Sequence, residues 1–287
     1  MTSPPPGEPP GAPTPGPRQE QPAHARRKWW TSSAGLSALA ALGAAVLVLA
    51  VFLATRGDDD GTPGAGPSPT GPRIVLQPAR EAGPDAFTAG TAEESPPSDA
   101  PEPTLTPEPS AAYGAPSVSG GTRALYGGTK GASACDVARQ TRYLTEDPAK
   151  ADAFAGVAGI DTDGIGRYLE SLTPALLRAD TRVTAHGFAD GSATSFAAVL
   201  ETGTAVLVDD RGLPRVRCAG GNPLSAPKAV KGAARTGQPW PGYRSSEVVA
   251  VRAAPRAHQS FVLYDAGRDE LFRRLVGTRG GDDTWVR

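Results

Sequence analysis

The chain has 287 residues, 39% of them hydrophobic and 6% aromatic, with 35 Gly and 30 Pro. Of the prolines, 22 lie before residue 121, which excludes the first two fifths of the chain as packed core. A net charge of −1 removes the electrostatic basis for nucleic-acid binding, and two cysteines are too few for a small disulfide scaffold or a Cys-based zinc site.

Residues 1–30 read as a disordered Pro-rich cytoplasmic tail; the polyproline-like Pro4 to Pro6 and Pro13, Pro15, Pro17 are the alternative, a ligand segment. Residues 31–56 read as a transmembrane helix. Its uncharged run, Ala34 to Thr55, has 22 residues and spans about 33 Å, enough for a hydrocarbon core of about 30 Å. Arg26, Arg27 and Lys28 precede it, with Trp29 and Trp30 at headgroup depth, and Arg56 alone follows before three aspartates. That asymmetry predicts a single-pass protein at the cell membrane, N-terminus cytoplasmic and C-terminal domain extracytoplasmic. A cleavable signal peptide is the competing reading, but the run is long and leaves without an A-x-A pattern.

Residues 57–120 form a low-complexity tether. Within it, residues 74–87 carry Ile74, Val75, Leu76 and Phe87, a cluster unusual for a linker, and the expectation is a strand docked on the distal domain. With that strand docked, the effective tether reaches roughly 24 Å.

Residues 121–287 are the expected extracytoplasmic domain. A first helix is predicted from Ser133, taken as N-cap, to Thr145. A second starts after Asp147-Pro148. A third follows Asp163 and ends at Thr173-Pro174. Phe196 to Leu200, Thr204 to Val208, Leu213 to Cys218, Glu247 to Arg252, Ser260 to Tyr264 and Leu271 to Leu275 read as strands, with Asp209-Asp210-Arg211-Gly212 a hairpin turn. Gly220 to Leu224 reads as a loop. The fold class is α+β, a three-helix segment packed on a mainly antiparallel sheet of five or six strands.

Chemistry-bearing residues are sparse. Cys135 and Cys218 both lie outside the membrane and suit a structural bridge, with thiol catalysis as the alternative. His186 is a weak catalytic candidate that Asp180, Asp190 or Asp209 would have to orient, since no G-x-S-x-G or H-E-x-x-H pattern supplies a partner. Asp161, Asp163 and Glu170 fall on positions of a calcium loop, but Gly159 replaces its first ligand; helix capping by the aspartates is the alternative. Trp240 and Tyr243 form a sugar or peptide platform or, as the plainer reading, pack over a sheet edge. No cofactor is implied.

The strings LTPALLRADTRVTAHGF (172–188), GTAVLVDDRGLPRVRC (203–218) and GNPL (221–224) resemble an uncharacterised actinobacterial domain family that sits outside a single membrane span and is also found attached to some Ser/Thr protein kinases. The resemblance covers roughly residues 73–90 and 121–287. Its members carry C-x-C before GNPL, where this chain has Cys218-Ala219-Gly220, which leaves Cys135 as the intrachain partner of Cys218. The family implies no reaction. The reading that follows is a non-catalytic binding or sensing domain whose partners are the lipid bilayer and a cell-wall or envelope-protein ligand. An extracytoplasmic hydrolase using His186 with an aspartate, or an accessory subunit of an envelope signalling complex, are the alternatives.

Overall fold

The segment Ala205–Val208 is buried along its whole length, and its alternate residues enter two different cores. Val206 and Val208 join one apolar cluster; Ala205 and Leu207 join another. A strand with two dry faces must lie in the middle of three layers. The computed structural model describes residues 71–93, 101 and 103–286; the tail, the predicted membrane helix with its flanking Arg26, Arg27, Lys28, Trp29 and Trp30, and much of the tether lie outside the described residues. No helix among the described residues is long and apolar enough to cross a membrane.

In chain order the elements are β1 (Arg73–Gln77), β2 (Ser117–Ser119), β3 (Tyr126–Gly127), α1 (Val137–Thr145), α2 (Pro148–Ala158), α3 (Ile165–Ser171), β4 (Thr173–Leu177) and β5 (Thr181–Ala185). There follow β6 (Phe188–Ala189), β7 (Ser192–Ala193), β8 (Phe196–Leu200), β9 (Ala205–Val208), β10 (Pro214–Arg217), β11 (Asn222–Ser225) and β12 (Ala234–Thr236). The last are β13 (Val249–Arg252), β14 (Ser260–Asp265), β15 (Glu270–Leu275) and β16 (Thr284–Trp285). The architecture is α+β, three helices among the described residues against a mainly antiparallel sheet.

The main sheet runs β12-β1-β8-β5-β11-β10-β9-β4-β3-β14-β15-β16, with β13 beside β5 and β2 beside β13. It folds over on itself. Val183 and Ala198 from one half and Val206, Leu263 and Phe272 from the other share the inner core. The helices cover the opposite face of the second half, where Leu144, Phe154, Ile165 and Leu169 meet Leu176, Leu207 and Val216. Strand β1 pairs in parallel with β8 and β12, and Phe87 beyond it is fully buried in the helix layer.

Local chemistry explains the helix ends. Asp136 caps α1, its carboxylate accepting from Arg139 N at 2.8 Å. Ser133 instead donates to the Cys135 carbonyl, so the predicted cap is corrected by three positions. Asp147 caps α2 with Pro148 in its first turn, as that pair of residues prescribes. At the C-terminus of α3, Arg279 donates to the carbonyls of Leu169, Glu170 and Leu172, a cation at the negative end of the helix dipole. Between β9 and β10 the Asp209 carboxylate accepts from Arg211 N and Leu213 N. Gly212 there has φ +74° and lies so near Gly120 that a Cβ would come within 2.2 Å of its carbonyl oxygen.

Two expectations are corrected. Sixteen strands occur among the described residues, not five or six. Asn222 to Leu224 lies in β11, not in a loop; the third helix does end ahead of Thr173-Pro174, at Ser171, and that pair opens β4.

Arg217, fully buried, fastens the N-terminal segment. Among the described residues no carboxylate hydrogen-bonds it, and it donates to the carbonyls of Pro78, Glu81 and Ala82. Burial pushes its pKa down to about 10, opposed by Glu81. Arg274 and Asp283, both side chains fully inaccessible, pair at 2.7 Å, and Arg274 also donates to the carbonyls of Thr129, Ala132 and Pro174.

Candidate functional site

The turn between β4 and β5 carries Arg178, Ala179 and Asp180 to one end of the folded sheet. There they meet the β8–β9 turn, the loop 240–249 and the turn after β14 around a cleft of about 1160 Å³. Strand pairing makes this meeting obligatory: Thr181 in β5 lies opposite Val249 in β13, and Val249 N donates to the Asp180 carbonyl.

Asp180 is the organiser of one wall. Its Oδ1 accepts from Thr202 N at 2.9 Å and Thr202 Oγ1 at 3.1 Å, and its Oδ2 accepts from Trp240 Nε1 at 3.1 Å. Burial raises the pKa of this carboxyl, against the hydrogen bonds from Thr202 and Trp240, while Glu247 adds to the rise. The indole is thereby fixed in orientation. It packs on Leu76, Val199 and Val248 and meets Tyr243 edge-on with centroids 5.0 Å apart, the plainer of the two readings for this aromatic pair, although Trp240 also borders the cleft.

Arg178 organises the other wall. Its guanidinium lies 4.0 Å from the Tyr264 ring centroid, a cation–π distance. Nη1 donates to the Ala124 carbonyl and Nη2 to the Pro101 carbonyl, each at 2.8 Å. Burial lowers its pKa. Through Pro101 it holds a proline-rich strap, Pro101 with residues 103–109, of which Pro101, Pro103, Leu105, Pro107 and Pro109 border the cleft. Leu105 of the strap packs against the inner core. Glu108 exchanges two main-chain hydrogen bonds with Ser117 and pairs with Arg252 at 3.1 Å.

Residues 116–277 match the family described as a domain of unknown function, DUF6777. The chain belongs to this family. No curated protein and no solved structure matches the chain.

The residues singled out in the DUF6777 sequence are placed as follows. Cys135 and Cys218 form a disulfide that joins the start of the helix layer to the end of β10. His186 is not among the residues bordering the cleft. Its Nε2 lies 2.7 Å from Ser225 Oγ. Burial lowers its pKa, offset by a main-chain hydrogen bond at Thr194, with Lys228 adding to the fall. None of the aspartates expected to orient it is bonded to it among the described residues. Asp180 serves Thr202 and Trp240, Asp209 serves Arg211, Leu213 and Arg215, and Asp190 sits in the β6–β7 turn with φ 50°. Asp161, Asp163 and Glu170 do not assemble: no group of three or more His, Cys, Asp or Glu side chains suited to a metal ion exists among the described residues. Asp161 is the N-cap residue of the 3-10 turn (residues 162–164) that leads into α3, and Asp163 lies in that turn, although the Asp161 side chain makes no cap hydrogen bond.

Sequence reasoning passed over Arg178, the bond between Asp180 and Trp240, and the strap. The strap's signal was present as P-x-P-x-L-x-P-x-P, alternate apolar residues inside a segment dismissed by composition.

Proposed function

We propose that the chain is a single-pass membrane protein whose extracytoplasmic domain binds an envelope ligand without catalysis, in the cleft between the Asp180–Trp240 wall and the proline strap. The observation that carries this reading is the pre-set wall: an aromatic ring held in place by a half-buried carboxylate at the edge of a cleft of about 1160 Å³. Concave sites with fixed aromatic surface and a few oriented polar groups are where small ligands and peptides bind. The apolar run at 34–55 with its basic N-terminal flank supports the anchor and the orientation.

The hydrolase alternative loses ground because His186 meets Ser225 and not an aspartate, and because neither residue borders the cleft. The test is a thermal-shift screen of the full chain against wall glycan and wall peptide fractions, repeated with Trp240→Ala and Asp180→Asn. Some fraction should raise the melting temperature of the wild type and leave both variants unmoved. A screen without a hit, or a hit that both variants retain, refutes the reading.

A further inference from the structure

Charge is unevenly distributed along this chain. The net value is −1, yet five neighbouring strands, β12, β1, β8, β5 and β11, carry cations and no carboxylate. Residues 71–80, 181–189, 192–200 and 222–246 hold Arg73, Arg80, Arg182, Lys228, Lys231, Arg235 and Arg244 without a single Asp or Glu. Arg244 is matched by Glu247. Lys228, Lys231 and Arg235 are exposed.

Strand register lays out a face between these cations. Arg235 pairs with Ile74, Ile74 with Ala197, Ala197 with Thr184, and Thr184 with Ser225, a row about 20 Å long across five strands. Paired residues share a face, and their sequence neighbours take the other. Ala185, Ala198 and Leu224 enter the inner core, so the row looks outward, and none of its five members is buried. Arg235 stands at one end. At the other, His186 meets Ser225. Burial is the main reason for the lowered pKa of both His186 and Arg182, but Lys228 adds to the fall of the first and Arg235 to that of the second. Like charges thus gather at both ends of the row, with no acid in these strands to offset them. An anionic surface relieves that repulsion.

The course of the chain points to one such surface. Strand β1 begins at Arg73 and pairs directly with β12, and the apolar run read as membrane-spanning ends at Thr55. Residues 57–70 reach no further than about 50 Å even when fully straight. The half of the sheet that carries the cationic face therefore has the shortest covalent path to the headgroups.

We propose that the outer face of β12-β1-β8-β5-β11 docks the domain on the anionic headgroups of the bilayer that anchors it, through Lys228, Lys231 and Arg235. This rests on the anchor reading given above, and it adds which face the domain turns to the membrane. Each cation near an anionic bilayer strengthens attachment about fivefold, so the three together favour the docked domain by about a hundredfold.

The experiment reconstitutes the full chain into vesicles of phosphatidylcholine alone or rich in phosphatidylglycerol. Lysine acetylation by acetic anhydride, which crosses the bilayer, is followed by mass spectrometry. Lys228 and Lys231 should react several-fold more slowly in the anionic vesicles, and about 0.5 M salt should restore their rates. Lys130, against Trp285 at the opposite edge of the strand order, should not change. Arg235→Glu should restore the Lys228 and Lys231 rates at low salt. Equal rates in the two kinds of vesicle, or equal slowing of Lys130, overturns the proposal. So does protection by soluble polyphosphate on neutral vesicles without any in anionic ones, which would assign the face to a wall phosphate polymer. A chain that alkaline carbonate strips from the vesicles refutes the anchor and the docking with it. A chain that stays with its lysine rates unchanged leaves the anchor standing and overturns the docking alone.

Discussion

Replacing Cys135 by Ala, replacing Cys218 by Ala, and replacing both should weaken the fold by the same amount. The bond closes a sequence separation of 83 residues, and constraining an unfolded chain over that span is worth about 4.5 kcal/mol on the chain-entropy model. Other contacts hold the same junction. Thr91 N donates to the Cys218 carbonyl at 2.8 Å, Thr91 Oγ1 bonds Gln140 Oε1 at 2.8 Å, and Ala134 and Cys135 sit in the same core as Val216. The helices should therefore stay docked without the bond, and the loss should arise from the freed unfolded chain. Alanine is chosen because both sites are buried and a serine hydroxyl would add its own desolvation cost. At about 2–4 °C per kcal/mol for a domain of this size, each variant should melt roughly 9–18 °C below the wild type. Calorimetry on the full chain, with and without reductant, checks this: reduced wild type should fall onto the variants, and denatured oxidised wild type should show no free thiol. A double variant that loses twice what each single loses would show two independently packed cysteines and refute the argument.

Separating the buried pair with Arg274→Met or Asp283→Leu should each cost about 3–5 kcal/mol, because a lone charge remains inside, while the double variant should lose much less than the sum; urea midpoints report this. Asp180 carries a carboxyl raised chiefly by burial, so the folded state holds its proton longer than the unfolded state. Stability should fall as pH rises from the ordinary aspartate range through the raised folded value, and Asp180→Asn should remove that component of the pH–stability curve. Trp240 fluorescence, taken as wild type minus Asp180→Asn, should change over the same interval. A fluorophosphonate probe should leave Ser225 unlabelled despite its contact with His186, and labelling detected by mass spectrometry would restore the hydrolase alternative.

How far the fold was legible depended on whether a residue's partner lay close in sequence. Asp147-Pro148 announces a helix start on its own, and α2 begins there. Ser133 and Asp136 are equally good caps in sequence, and the choice between them is made by the Cys135 carbonyl, which takes the Ser133 hydroxyl. Strand β4 was illegible because all five residues of TPALL are buried: lying between the helix layer and the opposite half of the sheet, it has no polar face to produce alternation. Pro174 and Pro223 looked like breakers, yet the carbonyl of Pro174 accepts from Arg274 and that of Pro223 from His186 N. The candidate site was hidden for the same reason. Asp180 and Trp240 are 60 residues apart, and the pairing of β5 with β13 brings them together.

The recurring unit and the folding unit of this chain do not share their ends. The family match stops at residue 277 and starts at residue 116, whereas the carboxylate for Arg274 is Asp283 and the carbonyls for Arg217 belong to residues 78–82. A fragment trimmed to the match would strand two guanidinium groups in its interior and strip β8 of its neighbour β1. The stretch from Arg73, where β1 begins, to Asp283 is what keeps β8 paired and accounts for both buried guanidinium groups, and expression of the domain should be planned to include it.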